Sequence, residues 1–373
     1  MKKTIRILAA LAAALTFVSC SKKAELTPVN IQPIVYQNDN VTVEADPKLE
    51  LIMIALRLAE VSPFSDNYYG SDYTQYLEGV DRIFQKQKDH PLVKELKSRC
   101  KNYKKSNNAI LQITRYISDD MTKISIKQKE LPEDMQEFWK GINLKNFIAQ
   151  FNDFAVTSNF ERVWLLYTPQ LKNQAISVQE YFRYNKKVTD WISSYFFDAN
   201  QIPEYRLHST ITSAGRAYLP SPIYDGNKIT LQEIAPAYFT KDYEWNPIQD
   251  AINFSGCIIL DLIRQNWDTI SPDAERIVKD IYTKNQITEK VDKDNVQFMI
   301  VSVLSLSCLF DFDSIKNDEE YNTSLYNAFT TQFLLSEPDK IINLASYYKD
   351  NRDQFPDFKT FVENYLPAAL KDF

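Results

Sequence analysis

Two histidines, His90 and His208, and four cysteines, Cys20, Cys100, Cys257 and Cys308, are all the imidazole and thiol this chain carries. That supply is thin for metal or nucleophilic chemistry. A zinc peptidase of the HExxH type needs two histidines at i and i+4, so that both face one side of a helix and share the metal. A glutamate between them serves as general base for the zinc-bound water. No HExxH occurs in the sequence. His208, Cys257 and Asp261 are all of ligand type and form a conceivable substitute zinc set, but nothing in their spacing fixes a shared geometry. A serine or cysteine triad has two histidines to draw on and no G-x-S-x-G elbow. Cys257 lies in apolar text, which raises a thiol pKa instead of activating it. It reads, like Cys308, as a small core residue. His90, within Asp89-His90-Pro91, reads as a helix-start residue, and His208 as a strand histidine hydrogen-bonded to backbone.

Phosphate chemistry fares no better. The six glycines, Gly70, Gly79, Gly141, Gly215, Gly226 and Gly256, are too scattered for a phosphate-cradling loop. Glycosidases need only two facing carboxylates, and Asp119-Asp120, Asp311/Asp313 and Asp318-Glu319-Glu320 are the candidate groups. All three lie in charged, loop-like text and read as caps or solvated faces. The tyrosine-rich run FSDNYYGSDYTQY (64–76) is suited either to stacking on sugars or to packing inside a helical domain.

The elements around these residues are mostly helices. Apolar positions recur at three- and four-residue spacing behind Ser, Asn, Asp or Pro starts, from Pro47 to Phe197 and again from Pro247 to Leu370. Asp46-Pro47 is a well-formed start, an N-cap followed by proline at the first helical position, and the helix behind it is apolar nearly all round. Breaks are expected between 171 and 178 and at Ile202-Pro203. VTVEA (41–45) and the stretch 205–240, with Asp225-Gly226 as a turn, read as strands. The expected fold class is therefore mainly α (α+β), a multi-helix domain with a small sheet. Residues 41–373 are read as one domain, helical to 200 and then carrying the sheet and a second set of helices. FMIVSVLSLSCLF (298–310) is the most apolar stretch of the body and too short to span a bilayer.

The N-terminus reads as an address. Lys2, Lys3 and Arg6 precede an apolar run from Ile5 to Val18, the pattern of a secretion signal over 1–19. Ser19 then precedes Cys20, resembling a lipoprotein cleavage box with Phe17 where leucine is usual, so Cys20 is the expected lipidation site. Residues 20–40, with two prolines and no helical period, read as a tether. Loss of Lys2, Lys3 and Arg6 with the signal takes the net charge from −6 to −9. So acidic a body lacks the basic footprint that nucleic acid requires.

Five segments, in this order, resemble the Bacteroidetes lipoprotein family DUF4932: VEADPKLELIMIALRLA (43–59), KDHPLVKELK (88–97), FNDFAVTSNFERVW (151–164), DWISSYFF (190–197) and YRLHSTITSAGRAY (205–218). Many members carry an H-E-F-x-H helix similar to the active helix of zincin metallopeptidases. Laid on this chain, that motif falls in DAINFSGCIILDLIRQNW (250–267), with Asn253 and Cys257 at the histidine positions, Phe254 at the glutamate and Asp261 at a later asparagine. The resemblance implies zincin-like core helices whose site is degenerate, with no catalytic residue, no metal and no cofactor. It implies a lipid-anchored envelope protein, on the periplasmic face of the outer membrane, that binds a peptide, a glycan or another envelope protein. An active hydrolase with a rebuilt metal or carboxylate site beside 250–267, and a purely structural envelope protein, are the alternatives.

Overall fold

The computed structural model describes residues 25–62, 64–65, 71–102, 107–210, 212, 219, 221–235 and 246–373. Cys20, the signal-like segment and parts of 64–76 and 205–218 lie outside them. The chain begins with a hairpin, β1 (Ile34–Asn38) and β2 (Val41–Ala45), followed by α1 (Pro47–Leu58), α2 (Ser71–Phe84), α3 (Pro91–Asn102), α4 (Asn107–Gln112), α5 (Glu133–Trp139), α6 (Leu144–Thr157), α7 (Phe160–Tyr184) and α8 (Lys186–Phe196). Then come β3 (Glu204–Ser209), β4 (Ile223–Asp225) and β5 (Lys228–Ala235). The second helical set is α9 (Pro247–Gln265), α10 (Trp267–Lys284), α11 (Lys293–Cys308), α12 (Asp313–Lys316), α13 (Glu319–Thr331), α14 (Pro338–Asp350), α15 (Phe358–Asn364) and α16 (Leu366–Ala369). The molecule is thus mainly helical with one small mixed sheet, as expected.

The sheet runs β1-β2-β3-β5-β4, antiparallel at its two outer hairpins and parallel through β2, β3 and β5. Strand alternation gives it two different faces. Val41, Val43, Tyr205, Leu207, Ile229 and Leu231 point into a core built largely by the second helical set. A separate core, built by α1 to α6 and the start of α7, includes Ile34 and Ile234. The sheet therefore sits between two helical layers, which explains how so small a sheet organises so long a chain.

Two expectations need correction. Residues 20–40 are not all tether: 34–38 form β1, Val29 and Ile31 are buried, and Val29 N–H donates to Asp120 O (3.1 Å). Further back, Asn152 Nδ2 donates to Thr27 O (2.8 Å). The overlooked signal was Asp39-Asn40 between two alternating runs. Asp39 adopts a left-handed φ of 49° there, as a two-residue hairpin turn requires. The break expected after 171 is also absent, because α7 continues through Pro169 to Tyr184. Its first half buries Phe160, Val163 and Trp164 in one core and its second half buries Ala175, Val178 and Phe182 in the other. Burial of both halves outweighs the local cost of the proline and the exposed residues between them.

The helix starts follow their caps. Asp46 Oδ1 accepts from Lys48 N–H (2.8 Å), and all of α1 except Lys48 is buried, including Glu50 and Arg57. Arg57 is held by Asp81 through two contacts (2.6 and 2.8 Å) and donates to Phe64 O (3.0 Å). Asp46→Ala is expected to cost about 1–2 kcal/mol, the usual range for a lost N-cap. A urea midpoint lowered at unchanged slope would register it. An unchanged midpoint would mean the cap is dispensable here.

Candidate functional site

His90 does what its position implied. Its Nδ1 accepts from Leu92 N–H (3.2 Å) at the start of α3, so Nε2 carries the proton and donates to Asp153 Oδ2 (3.0 Å). The acidic groups are likewise caps and surface pairs. Asp318 caps α13, Asp120 accepts from Ser118 and Thr122, Asp119 pairs with Lys48 (2.8 Å), and Asp311 pairs with Lys349 and Lys316. From the tyrosine-rich run, Phe64 is core and buried Tyr76 donates to Glu50 (2.8 Å).

The helix on which the zincin-like motif was laid is α9, started by Asn246, whose Oδ1 accepts from Ile248 N–H (3.0 Å), and by Pro247. Asp250, Asn253, Cys257 and Asp261 recur at three- and four-residue steps and so share one face. Phe254, one position round, turns into the core. It is 1% exposed and meets Tyr205 of β3 and Phe182 of α7 edge-on, with centroids 5.4 and 6.4 Å away. The position on which the motif's glutamate was laid is therefore a packing position. Asn253 instead donates from Nδ2 to Glu233 Oε1 of β5 (2.8 Å), and its own Oδ1 accepts from Gln249 (2.9 Å).

Glu233 and Asp250 are the residues that the sequence reading missed. Asp250 is buried and accepts a short hydrogen bond from Tyr181 OH of α7. Burial pushes both carboxyls above their ordinary range. The neighbouring Asp250 charge raises Glu233 further, while the bonds from Asn253 and Tyr181 only partly offset this. Two such acids near one another favour a shared proton. Burial, with the Glu233 charge beside it, pushes the half-buried Cys257 thiol up to about 12, which keeps it in the thiol form near neutral pH. A signal for Glu233 did exist. It shares the inward side of β5 with Ile229 and Leu231, an acid in an apolar row.

His208 stands elsewhere, and its expected backbone partner is replaced by side chains. Its Nδ1 lies 3.1 Å from Glu44 Oε1 and its Nε2 3.3 Å from Gln232 Oε1. Glu44 is its direct neighbour across β2 and β3. His208 alternates with Leu207, so it faces away from α9. The substitute zinc set His208, Cys257 and Asp261 is therefore split between the two sheet faces. Among the described residues no three His, Cys, Asp or Glu side chains converge as metal ligands.

On the His208 face the sheet opens into a cavity of about 580 Å³. Arg206, His208, Thr230 and Gln232 form part of its floor; Glu44, Lys48 and Arg115 are among the other charged residues lining it. Burial pushes Glu44 up, but His208 and nearby Arg206 and Lys48 outweigh this and hold its carboxyl below the ordinary value. Asp46 moves the other way, because burial outweighs Lys48. The cavity is of ligand size, polar in its floor and partly apolar along Ile31, Pro33 and Leu111.

Comparison of the chain with protein-family models, curated proteins and solved structures returned no match. The resemblance to DUF4932 rests on the five segments quoted above.

Proposed function

We propose that this chain is a lipid-anchored cell-envelope protein without peptidase activity, a DUF4932-like relative of zincins that works as a binding module. Its ligand is a peptide, a glycan or a segment of another envelope protein, and its binding site is the cavity over β2, β3 and β5. The observation that carries this reading is the cavity itself, a charged, ligand-sized recess on the sheet face opposite α9. The packing of Phe254 into the core supports the loss of peptidase chemistry, since that side chain has no proton to exchange and no access to a substrate. The signal-like segment and Cys20 support the anchor, and the basic Ser21-Lys22-Lys23 that follows supports the periplasmic face of the outer membrane.

Full-length protein in detergent should retain ligands from envelope glycan and peptide libraries, and Thr230→Trp, which fills the cavity floor, should abolish retention. Retention unchanged in that variant would remove the cavity as the site. Elemental analysis after chelation and zinc reloading should find no stoichiometric zinc. Zinc that disappears in Cys257→Ala would overturn the loss of the metal site and call for hydrolase assays. Radiolabelled fatty acid should label the protein and not Cys20→Ala; equal labelling of both would remove the anchor.

A second reading is favoured by one observation, the raised pair Glu233 and Asp250 beside α9. A carboxyl still protonated near neutrality is what a general acid needs. Metal-independent hydrolysis lost in Glu233→Gln would establish it in place of the binding module.

A further inference from the structure

Counting the charges around the cavity leaves a remainder. Lys48 is matched by Asp119 (2.8 Å) and Asp46 (3.9 Å) and Lys228 by Glu204 (2.7 Å), while Glu44 has His208 Nδ1 at 3.1 Å and the charges of Arg206 and Lys48 nearby. Among the described residues Arg206 and Arg115 make no ion pair and no side-chain hydrogen bond; Arg115 only lies over the Tyr116 ring, 5.2 Å from its centroid. Both line the cavity and both are exposed to solvent. Arg206 projects from the middle of β3, opposite Gln232 of β5, on the cavity side of the sheet. The one unmatched carboxylate in the wall is Asp225, exposed at the β4–β5 hairpin. The lining holds as many carboxylates as cationic side chains, and the positive charge that no carboxylate holds at ion-pair distance is that of the two guanidinium groups.

We propose that the cavity takes an oxyanion, a carboxylate or phosphate carried on a small polar ligand, and that Arg206 and Arg115 receive it. This rests on reading the cavity as the binding site. A guanidinium presents a planar fork of donors that fits a carboxylate or phosphate edge, and it stays charged at any physiological pH. Thr230 and Gln232 on the floor supply hydroxyl-directed partners for the remainder of the ligand. The volume, about 580 Å³, suits a body the size of one or two sugar rings.

The test is calorimetric titration of the full-length protein in detergent at low salt with D-glucuronate, D-glucose 6-phosphate and D-glucose. At least one of the anions should bind, at least tenfold more tightly than glucose, and its affinity should fall as sodium chloride is added. The tighter of the two identifies carboxylate or phosphate as the natural group. Arg206→Gln and Arg115→Gln should each weaken that binding about tenfold or more, in line with a lost charge-assisted hydrogen bond, and the double variant should abolish it. Both sites are exposed, so the thermal melts of these variants should match the parent. Glucose binding as tightly as the anions, or anion binding that survives the double variant, would overturn the oxyanion site. The cavity reading would still stand if Thr230→Trp removed that binding. If none of the three probes binds, the oxyanion site is overturned and the library capture alone decides the cavity.

Discussion

Phe254→Ala is expected to destabilise the protein by about 3–5 kcal/mol, the range for truncating a fully buried phenylalanine. The ring lies where α9 meets α7 and β3, touching Phe182 and Tyr205. Phe254→Leu, which keeps most of the volume, should cost about 1.5 kcal/mol or less. Phe254→Glu should cost more than alanine, because it sets a carboxylate in the core without a partner. Urea unfolding of the three variants separates these values through the midpoint at constant slope. An alanine variant within 1 kcal/mol of the parent would mean that position 254 is not a core position.

The second large effect is one of pH. A carboxyl whose pKa is higher folded than unfolded holds its proton more tightly in the native state. Its contribution is therefore complete below the ordinary carboxyl range near pH 4, and it is lost as pH rises toward the raised folded values. Glu233 and Asp250 are both raised, by burial first and, for Glu233, then by the Asp250 charge. Stability should accordingly decline between about pH 5 and the alkaline side of neutrality, through these two groups. Glu233→Gln removes that penalty and leaves Oε1 in place to accept from Asn253. The variant should match the parent near pH 5 and exceed it by on the order of 2 kcal/mol near pH 9. Asp250→Asn, with Tyr181 still able to donate, should act in the same direction. Melting curves across this range that keep parent and variant parallel would show that the pair is ionised throughout.

Local chemistry was the legible part of this chain. Asp46-Pro47, Asn246-Pro247, Asp318 and Asp357 announce helix starts because their side chains bond to backbone within the next three residues. The alternating runs marked the strands because successive side chains in a strand point to opposite faces of the sheet. The tether was misread because prolines hide a short edge strand that needs only one partner, and the continuity of α7 was misread because it depends on two cores remote in sequence. The acid pair was illegible for a related reason. Glu233 and Asp250 belong to a strand and to the helix after it, and only the docking of α9 beneath β5 brings their charges together. His208 was placed correctly in a strand. Its partners could not be named without the register that sets β3 between β2 and β5.

The hold on Thr27 and Val29 limits how far the body can stand from a bilayer. If Cys20 carries the lipid, seven peptide steps separate it from Thr27, where Asn152 grips the chain. Fully extended, seven residues reach about 25 Å, less than the thickness of a bilayer's hydrocarbon core. The protein would then ride on a short leash at the membrane surface. Soluble ligands would come to it, and any protein partner would have to present itself within a few nanometres of the lipid headgroups.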